Sequence, residues 1–176
     1  MVTEAFVAIV IVVALQRLLE VRVSRRHEAE LTRRGGVEHV PEQMPVMVAV
    51  HTLWLLSMLL EVWLWKRASV PWLGVSALIV FGIGQVLRLT AIHALGARWT
   101  VKVFTLPNEP RVKAGVFRYL SHPNYIGVVL EIAALPLIHG AWLTSLVFSI
   151  ANGLLLAWRI PAEERALAHS NNYHVS

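Results

Sequence analysis

The sequence predicts an all-α integral membrane protein of about five transmembrane helices, on the basis of three observations. Of its 176 residues, 56% are hydrophobic and only 15% are charged, and the mean hydropathy is +0.59. A soluble domain is about one-quarter charged, so much of this surface must face lipid. The apolar residues fall in runs long enough to cross a bilayer, and the basic residues favour alternate connections between those runs.

The first three apolar runs each have the length of one crossing, which takes about 20 residues. They extend from about Ala5 to Val21, from about Pro45 to Trp65 and from about Pro71 to Leu95. The first run does not look like a signal peptide, because Glu4 precedes it in place of a basic segment and no small-residue cleavage site follows it. We therefore predict that it is retained as a membrane helix.

The apolar stretch from Tyr125 to Ile160 is too long for one helix across the membrane. Pro136 removes a backbone donor, and the pair His139-Gly140 loosens the chain soon after it. Two helices, at about 125–138 and 141–160, are therefore predicted to form a tight hairpin at the end of a single domain that covers residues 1–176. The first helix of the hairpin is short, so it is either a full crossing or a buried or tilted half-helix.

Basic residues predict the side of the membrane on which each connection lies, because Lys and Arg collect in cytoplasmic loops. They cluster after the first run, after the third run and in the tail, whereas only Lys66 and Arg67 follow the second run. With the N-terminus outside, every basic cluster is cytoplasmic. This arrangement also explains the formal charge of +5 without a nucleic-acid partner. Arg17 and Arg88 are near inner helix ends, where we expect them to snorkel.

The chemistry is predicted to lie in the third connection and the tail, at about residues 96–167. Pro123 suits the first position of a helix with His122 at its cap, and His122 and Tyr125 are spaced to face one pocket. The alternative is an ordinary helix start with an interfacial tyrosine. Glu163 and Glu164 follow a proline in the tail, so they either stabilise the start of a short cytoplasmic helix or anchor a cationic or hydroxyl-bearing ligand.

Two further acids lie within the predicted helices. Glu131 is about two turns inside an apolar helix, where an acid is costly and is a candidate for function. Its alternative role is a structural hydrogen bond to a neighbouring helix, for example to His51 or Asn152. Glu61 is nearer an outer helix end and is expected to be solvated. The absence of cysteine excludes disulfides, thiolate metal sites and thiol catalysis, and we predict no metal site.

At these residues the sequence resembles the isoprenylcysteine carboxyl methyltransferase family, small polytopic membrane enzymes that use S-adenosylmethionine. The family signature is Gly-x-Tyr/Phe-x-x-x-Arg-His-Pro-x-Tyr-x-Gly and, after a helical hairpin, Arg-x-x-x-Glu-Glu-x-x-Leu. Here residues 115–127 read GVFRYLSHPNYIG and residues 159–167 read RIPAEERAL. Ser121 stands where the family usually has arginine.

The resemblance implies roles for the matching residues. Arg118 or Arg159 would bind the methionine carboxylate of the cofactor, since arginine pairs with carboxylates bidentately. Glu131 and Arg159 are the predicted catalytic residues. The implied cofactor-binding residues are Arg118, His122, Asn124, Tyr125, Glu163 and Glu164.

Within the family the chain resembles a bacterial branch found beside type III polyketide synthases, whose members O-methylate alkylresorcinols or alkylpyrones. Asn124, Glu131 and the turn from Pro136 to Gly140 carry this likeness. It implies a bacterial plasma-membrane enzyme with a cytoplasmic active site. The acceptor would be a lipophilic hydroxyl or a prenylcysteine-type carboxylate, and it would enter sideways between helices.

Two other classes stay open at this point. Membrane sterol or enone reductases that use NADPH also carry His-Pro-Asn-Tyr, but they usually follow it with paired acids before a Cys and a Lys-Tyr-Gly segment. This sequence has no cysteine. A transporter subunit or membrane scaffold would bind neither cofactor.

The alternating basic loops predict the result of a reporter-fusion experiment. A reporter inserted at Gly35-Gly36 and one fused after Ser176 should both read cytoplasmic, and one inserted after Arg67 should read external. Alkaline phosphatase and green fluorescent protein fusions would give the two readouts. The same side for the Gly35 and Arg67 reporters would contradict the five-span topology.

Overall fold

Five helices hold most of the chain in the computed structural model, which describes residues 2–67, 69–107, 109 and 111–172. The predicted all-α class is confirmed, apart from a two-stranded antiparallel ribbon that we did not predict. The helices are α1 Val2–Arg33, α2 Gln43–Leu64, α3 Pro71–Leu95, α4 Pro123–Leu137 and α5 Trp142–Asn172. The connections contain 3₁₀ turns at Gly96–Arg98 and Gly115–Arg118 and the strands β1 Val37–His39 and β2 Val103–Thr105.

Three helical segments in the described chain are long and apolar enough to cross a membrane: Gln43–Leu64, Pro71–Arg98 and Trp142–Ala168. Only 22%, 28% and 33% of their most apolar stretches are buried inside the protein, so most of this apolar surface needs lipid. The predicted integral membrane protein is thereby supported. The helix α4 has only 15 residues, or about 22 Å, which is less than the roughly 30 Å of a bilayer core. The count of five spans stays a prediction.

The contacts between connections show which ends of the helices lie together. Strand β1 pairs with β2, so the connection after α1 and the connection after α3 lie at one end of the molecule. At the opposite end, Thr3 of α1 hydrogen-bonds His139 in the turn between α4 and α5, with 3.0 Å between Oγ1 and Nε2. Consecutive helices therefore run in opposite directions, and the two large basic loops share the ribbon end.

The predicted hairpin is present, but the predicted end of its second helix was wrong. Helix α4 ends at Leu137 and α5 begins at Trp142, close to the expected turn. Helix α5 then continues through Pro161 to Asn172, where we expected a break and a new short helix. Proline removes one backbone donor, and a long helix packed on its neighbours tolerates that loss. Glu163 and Glu164 therefore do not lie at a helix start, which removes their purely helix-stabilising interpretation.

Pro136 also explains how α2 docks on α4. Because proline has no N–H, the carbonyl of Ile132 one turn earlier has no donor within the helix. The buried indole Nε1 of Trp54 on α2 donates to that carbonyl at 3.2 Å. Apolar side chains of four helices pack around this bond, among them Phe6, Val13, Met58, Phe81, Val128 and Leu135.

Glu61 is buried, with 4% of its surface exposed, so the expectation of a solvated acid was wrong. Its carboxylate accepts hydrogen bonds from the backbone of Leu143 at 3.2 Å and from both the backbone and the hydroxyl of Thr144 at 2.7 and 2.8 Å. Arg67 lies 3.2 Å away as its counter-charge. The first N–H groups of α5 have no partners within their own helix, and the end of α2 supplies the acceptor.

Replacing Glu61 should therefore destabilise the hairpin. We expect Glu61→Ala to lower the free energy of unfolding by about 1.5–3 kcal/mol, because it leaves buried donors without a charged acceptor. Glu42→Ala is the matched control, since Glu42 is exposed and caps no helix through its side chain. Unfolding of the two purified variants in detergent, followed by circular dichroism, measures the difference. Equal stability would show that Glu61 does not hold α5.

Candidate functional site

A cavity of about 570 Å³ extends from the ribbon end of the molecule into the helix bundle. Its outer part is polar and its inner part is apolar. The outer part is lined by Lys102, Arg111, His122, Asn124, Tyr125, Arg159 and Glu163. The inner part is lined mainly by α1 and α2, including Val10, Ile11, Ala14, Leu55 and Leu59.

The start of α4 places two aromatic rings side by side in the outer cavity. Pro123 is the first residue of the helix, and His122 precedes it without capping it through its side chain. The rings of His122 and Tyr125 stack with 5.4 Å between their centroids and 19° between their planes. The predicted common face of these two residues is therefore present.

Tyr125 joins α4 to α5 through two polar partners. Its hydroxyl donates to Glu163, and Nε of Arg159 donates to the same hydroxyl at 2.9 Å. Arg159 and Glu163 are one helical turn apart, so both face α4. Arg159 is buried and also donates from Nη2 to the carbonyl of Val101 in the loop before β2. The cluster has an acceptor, a donor and a hydroxyl with fixed positions.

Glu164 points to the neighbouring loop rather than into the cavity. Its carboxylate lies 2.7 Å from Nε2 of His122, and Nη1 of Arg111 donates to it at 3.0 Å. Arg111 also donates from Nη2 to the carbonyl of Ser121 at 2.8 Å. Glu164 therefore orients His122 and Arg111 from outside the cavity.

Arg111 and Lys102 line the outer cavity but were missing from our predicted site. Arg111 was assigned only to a basic loop, and the loop gave no helical or strand register from which to place it. Lys102 directly precedes strand β2, and its hydrogen bond to Glu38 raises its pKa. Both positive charges lie at the outer end, where a ligand carboxylate would meet them.

Asn124 lies in the cavity and Arg118 lies outside it. Asn124 lines the cavity, and its side-chain oxygen is buried without a hydrogen-bond partner in the described structure. A buried polar atom of this kind needs a ligand or water donor. Arg118 is exposed on the second 3₁₀ turn and does not line the cavity. The structure therefore assembles His122, Asn124, Tyr125, Arg159 and Glu163 in one place and leaves Arg118 outside it.

Glu131 belongs to a second polar cluster, deeper in the bundle. Arg17 of α1 donates from Nη2 to Glu131, and Nε of Arg88 on α3 lies 3.3 Å from the other carboxylate oxygen. Glu20 accepts from Nη1 of Arg17 at 2.7 Å and from Arg88. The four side chains form two positive and two negative charges that compensate each other. We call this set, Arg17, Glu20, Arg88 and Glu131, the charge cluster.

The charge cluster corrects two predictions. Arg17 and Arg88 do not snorkel to the membrane surface, because buried carboxylates bind them inside the protein. Glu131 bonds these arginines rather than His51 or Asn152. The sequence did contain a signal for this cluster, because charged residues inside the apolar helices α1 and α3 are costly unless they are paired. Arg17, Glu20 and Arg88 line the cavity, whereas Glu131 lies behind them with 1% of its surface exposed.

Gly127, the last residue of the first motif, makes room for the charge cluster. A side chain there would bring its Cβ within 2.6 Å of Cγ of Arg88 and 2.7 Å of the carbonyl of Gly84. Helices α3 and α4 approach closely at this point because both positions are glycine. The motif glycine therefore connects the outer site to the deeper cluster.

Comparison with known proteins agrees with this geometry. A model of the isoprenylcysteine carboxyl methyltransferase family matches residues 76–169, which include every named residue of the outer site and exclude α1 and α2. The chain is 37% identical over 163 residues to the uncharacterized protein YpbQ of Bacillus subtilis, covering 92% of this chain and 96% of that protein. It is 28% identical over 158 residues to an uncharacterized protein of Haemophilus influenzae, covering 87% and 89%. The chain belongs to the isoprenylcysteine carboxyl methyltransferase family.

Proposed function

We propose that this membrane protein transfers the methyl group of S-adenosylmethionine to an oxygen atom of a lipophilic acceptor. Family membership indicates a membrane methyltransferase. The observation that carries the finer proposal is one continuous cavity, in which a polar outer end suited to the cofactor continues into an apolar inner end suited to a lipid. A phenolic lipid, an alkylpyrone or a prenylcysteine-type carboxylate would each suit that shape.

The side chains of the outer cavity fit the polar groups of S-adenosylmethionine. The unpartnered oxygen of Asn124 can accept from an amino group, and the carboxylate of Glu163 can accept from ribose hydroxyls or an ammonium group. Arg111 and Arg159 can pair with the methionine carboxylate. When bound, the cofactor supplies an electrophilic methyl group on a sulfonium. The protein contributes mainly by holding the two reactants in line.

The cavity opens sideways toward the membrane between α1 and α2. Ile11 and Leu18 of α1, and Val48 and Leu56 of α2, line the cavity and are also exposed on the outer surface. A lipid tail can therefore enter between these helices while its head group reaches the polar part. This opening supports a lipid acceptor that arrives from the bilayer rather than from the cytosol.

The cofactor site is tested by binding. His122→Ala, Tyr125→Phe and Glu163→Gln should each weaken S-adenosylhomocysteine binding about 10- to 150-fold, because each removes a polar partner or the charge of a partner. Arg118→Ala, outside the cavity, is the control and should bind as the wild type does. Isothermal titration calorimetry measures all four. NADPH binding in place of S-adenosylhomocysteine would favour the reductase class, and wild-type affinity in all three variants would exclude these residues.

The side opening is tested by a pair of identical substitutions on α1. Ala14 lines the cavity, whereas Ala8 is exposed and does not. Ala14→Phe should lower kcat/KM for a long-chain acceptor about 10-fold or more, because the added ring fills the path of the tail. Ala8→Phe should leave it unchanged, and both variants should bind S-adenosylhomocysteine normally. Equal activity of the two variants in proteoliposomes would contradict entry at this position.

A further inference from the structure

We propose that His51 of α2 is the proton acceptor for a weakly acidic hydroxyl of the methyl acceptor. The inference rests on the proposed methyl transfer and adds a catalytic residue to it. His51 lies before residue 76, where the match to the family model begins. The matched segment therefore does not include it.

His51 lies on the face of α2 that lines the cavity. Met44, Met47 and Leu55, which share that face at helical spacing, line the cavity with it. Arg17 and Glu20 of α1 and Arg88 of α3, the members of the charge cluster that line the cavity, border the same space. A head group that enters between α1 and α2 can therefore meet both His51 and the arginines.

The backbone determines which nitrogen of His51 can act as a base. Nδ1 is 2.9 Å from the carbonyl oxygen of Met47, which can only accept, so Nδ1 must carry the hydrogen. In the neutral ring Nε2 is then unprotonated. The described structure gives Nε2 no hydrogen-bond partner, and the edge of the ring packs against Trp54 with 6.4 Å between centroids.

The two nearby carboxylates are less suited to this role. Glu131 is behind the arginines and does not line the cavity. Glu20 lines it but already accepts from Arg17, from Arg88 and, at 3.0 Å, from Gln16. Both carboxylates are therefore already paired with the arginines. Nε2 of His51 is a basic atom near them that has no such partner among the described residues. Arg17 and Arg88 supply positive charge beside the oxygen that loses its proton.

Asn152 of α5 adds a second contact for the head group. Only 2% of its surface is exposed, it lines the same cavity, and its side-chain oxygen has no hydrogen-bond partner in the described structure. This oxygen can accept from a further hydroxyl on an aromatic ring. A dihydroxybenzene with an alkyl tail would then satisfy both His51 and Asn152 and leave its tail between α1 and α2.

The transfer balances in atoms and charge. The O–H bond of the acceptor breaks as its proton passes to Nε2 of His51, and the oxygen forms a new bond to the methyl carbon. The C–S bond breaks with its electron pair returning to sulfur, which becomes a neutral thioether. One positive charge is thus lost at sulfur and one appears on the imidazolium, next to Glu20. The imidazolium later releases its proton to water at the polar end.

The experiment compares two acceptors in one variant. A simple phenol has a pKa of about 10 and is protonated at pH 7, so it needs a base, whereas the enol of an alkylpyrone is more acidic and needs less help. We expect His51→Gln to lower kcat/KM for pentadecylresorcinol about 100-fold or more and to lower that for a pyrone with the same tail far less. His93→Gln, at an exposed histidine outside the cavity, is the control.

Two further measurements separate a base from a structural residue. The rate of His51→Gln with the resorcinol should rise as the pH is raised toward the pKa of the phenol, and S-adenosylhomocysteine binding should match that of the wild type. Equal losses on both acceptors, or an unchanged rate on the resorcinol, would overturn the inference. A wild-type protein that binds S-adenosylhomocysteine but methylates neither acceptor would also overturn it. Absence of any S-adenosylhomocysteine binding would instead reject the proposed function itself.

Discussion

The ion pairs of Arg17 and Arg88 with Glu20 and Glu131 are the interaction on which the arrangement of the bundle depends. They join α1, α3 and α4 through side chains that are at most 14% exposed. A buried charge without its partner costs several kcal/mol, so the three helices are held in one register. The glycines at 84 and 127 let the helices approach closely enough for these bonds.

The charge cluster also separates the two ends of the cavity. Outside it, the start of α4 and the extension of α5 carry Tyr125, Arg159 and Glu163, whose hydrogen bonds fix one another. Inside it, the walls are apolar side chains of α1 and α2. Under the proposed function, the polar end of the cavity would hold the cofactor, the apolar end would hold the lipid tail, and the reacting atoms would meet beside the arginines.

The match to the family model divides the molecule in the same way. Residues 76–169 contain the motifs and the outer site, whereas α1 and α2 lie before that segment and line most of the inner cavity. Under the proposed function, the shared segment holds the cofactor and the N-terminal helices choose the acceptor.

The sequence by itself determined the apolar helices, the hairpin and several residues of the outer cavity, because apolar length, proline and motif spacing are local properties. It predicted His122 and Tyr125 on one face, and the structure confirms this. Only the tertiary structure decided the partners of Glu61, Arg17 and Glu131, since these bonds join residues far apart in the chain. It also decided that α5 passes through Pro161, because packing of a long helix outweighs one missing hydrogen bond.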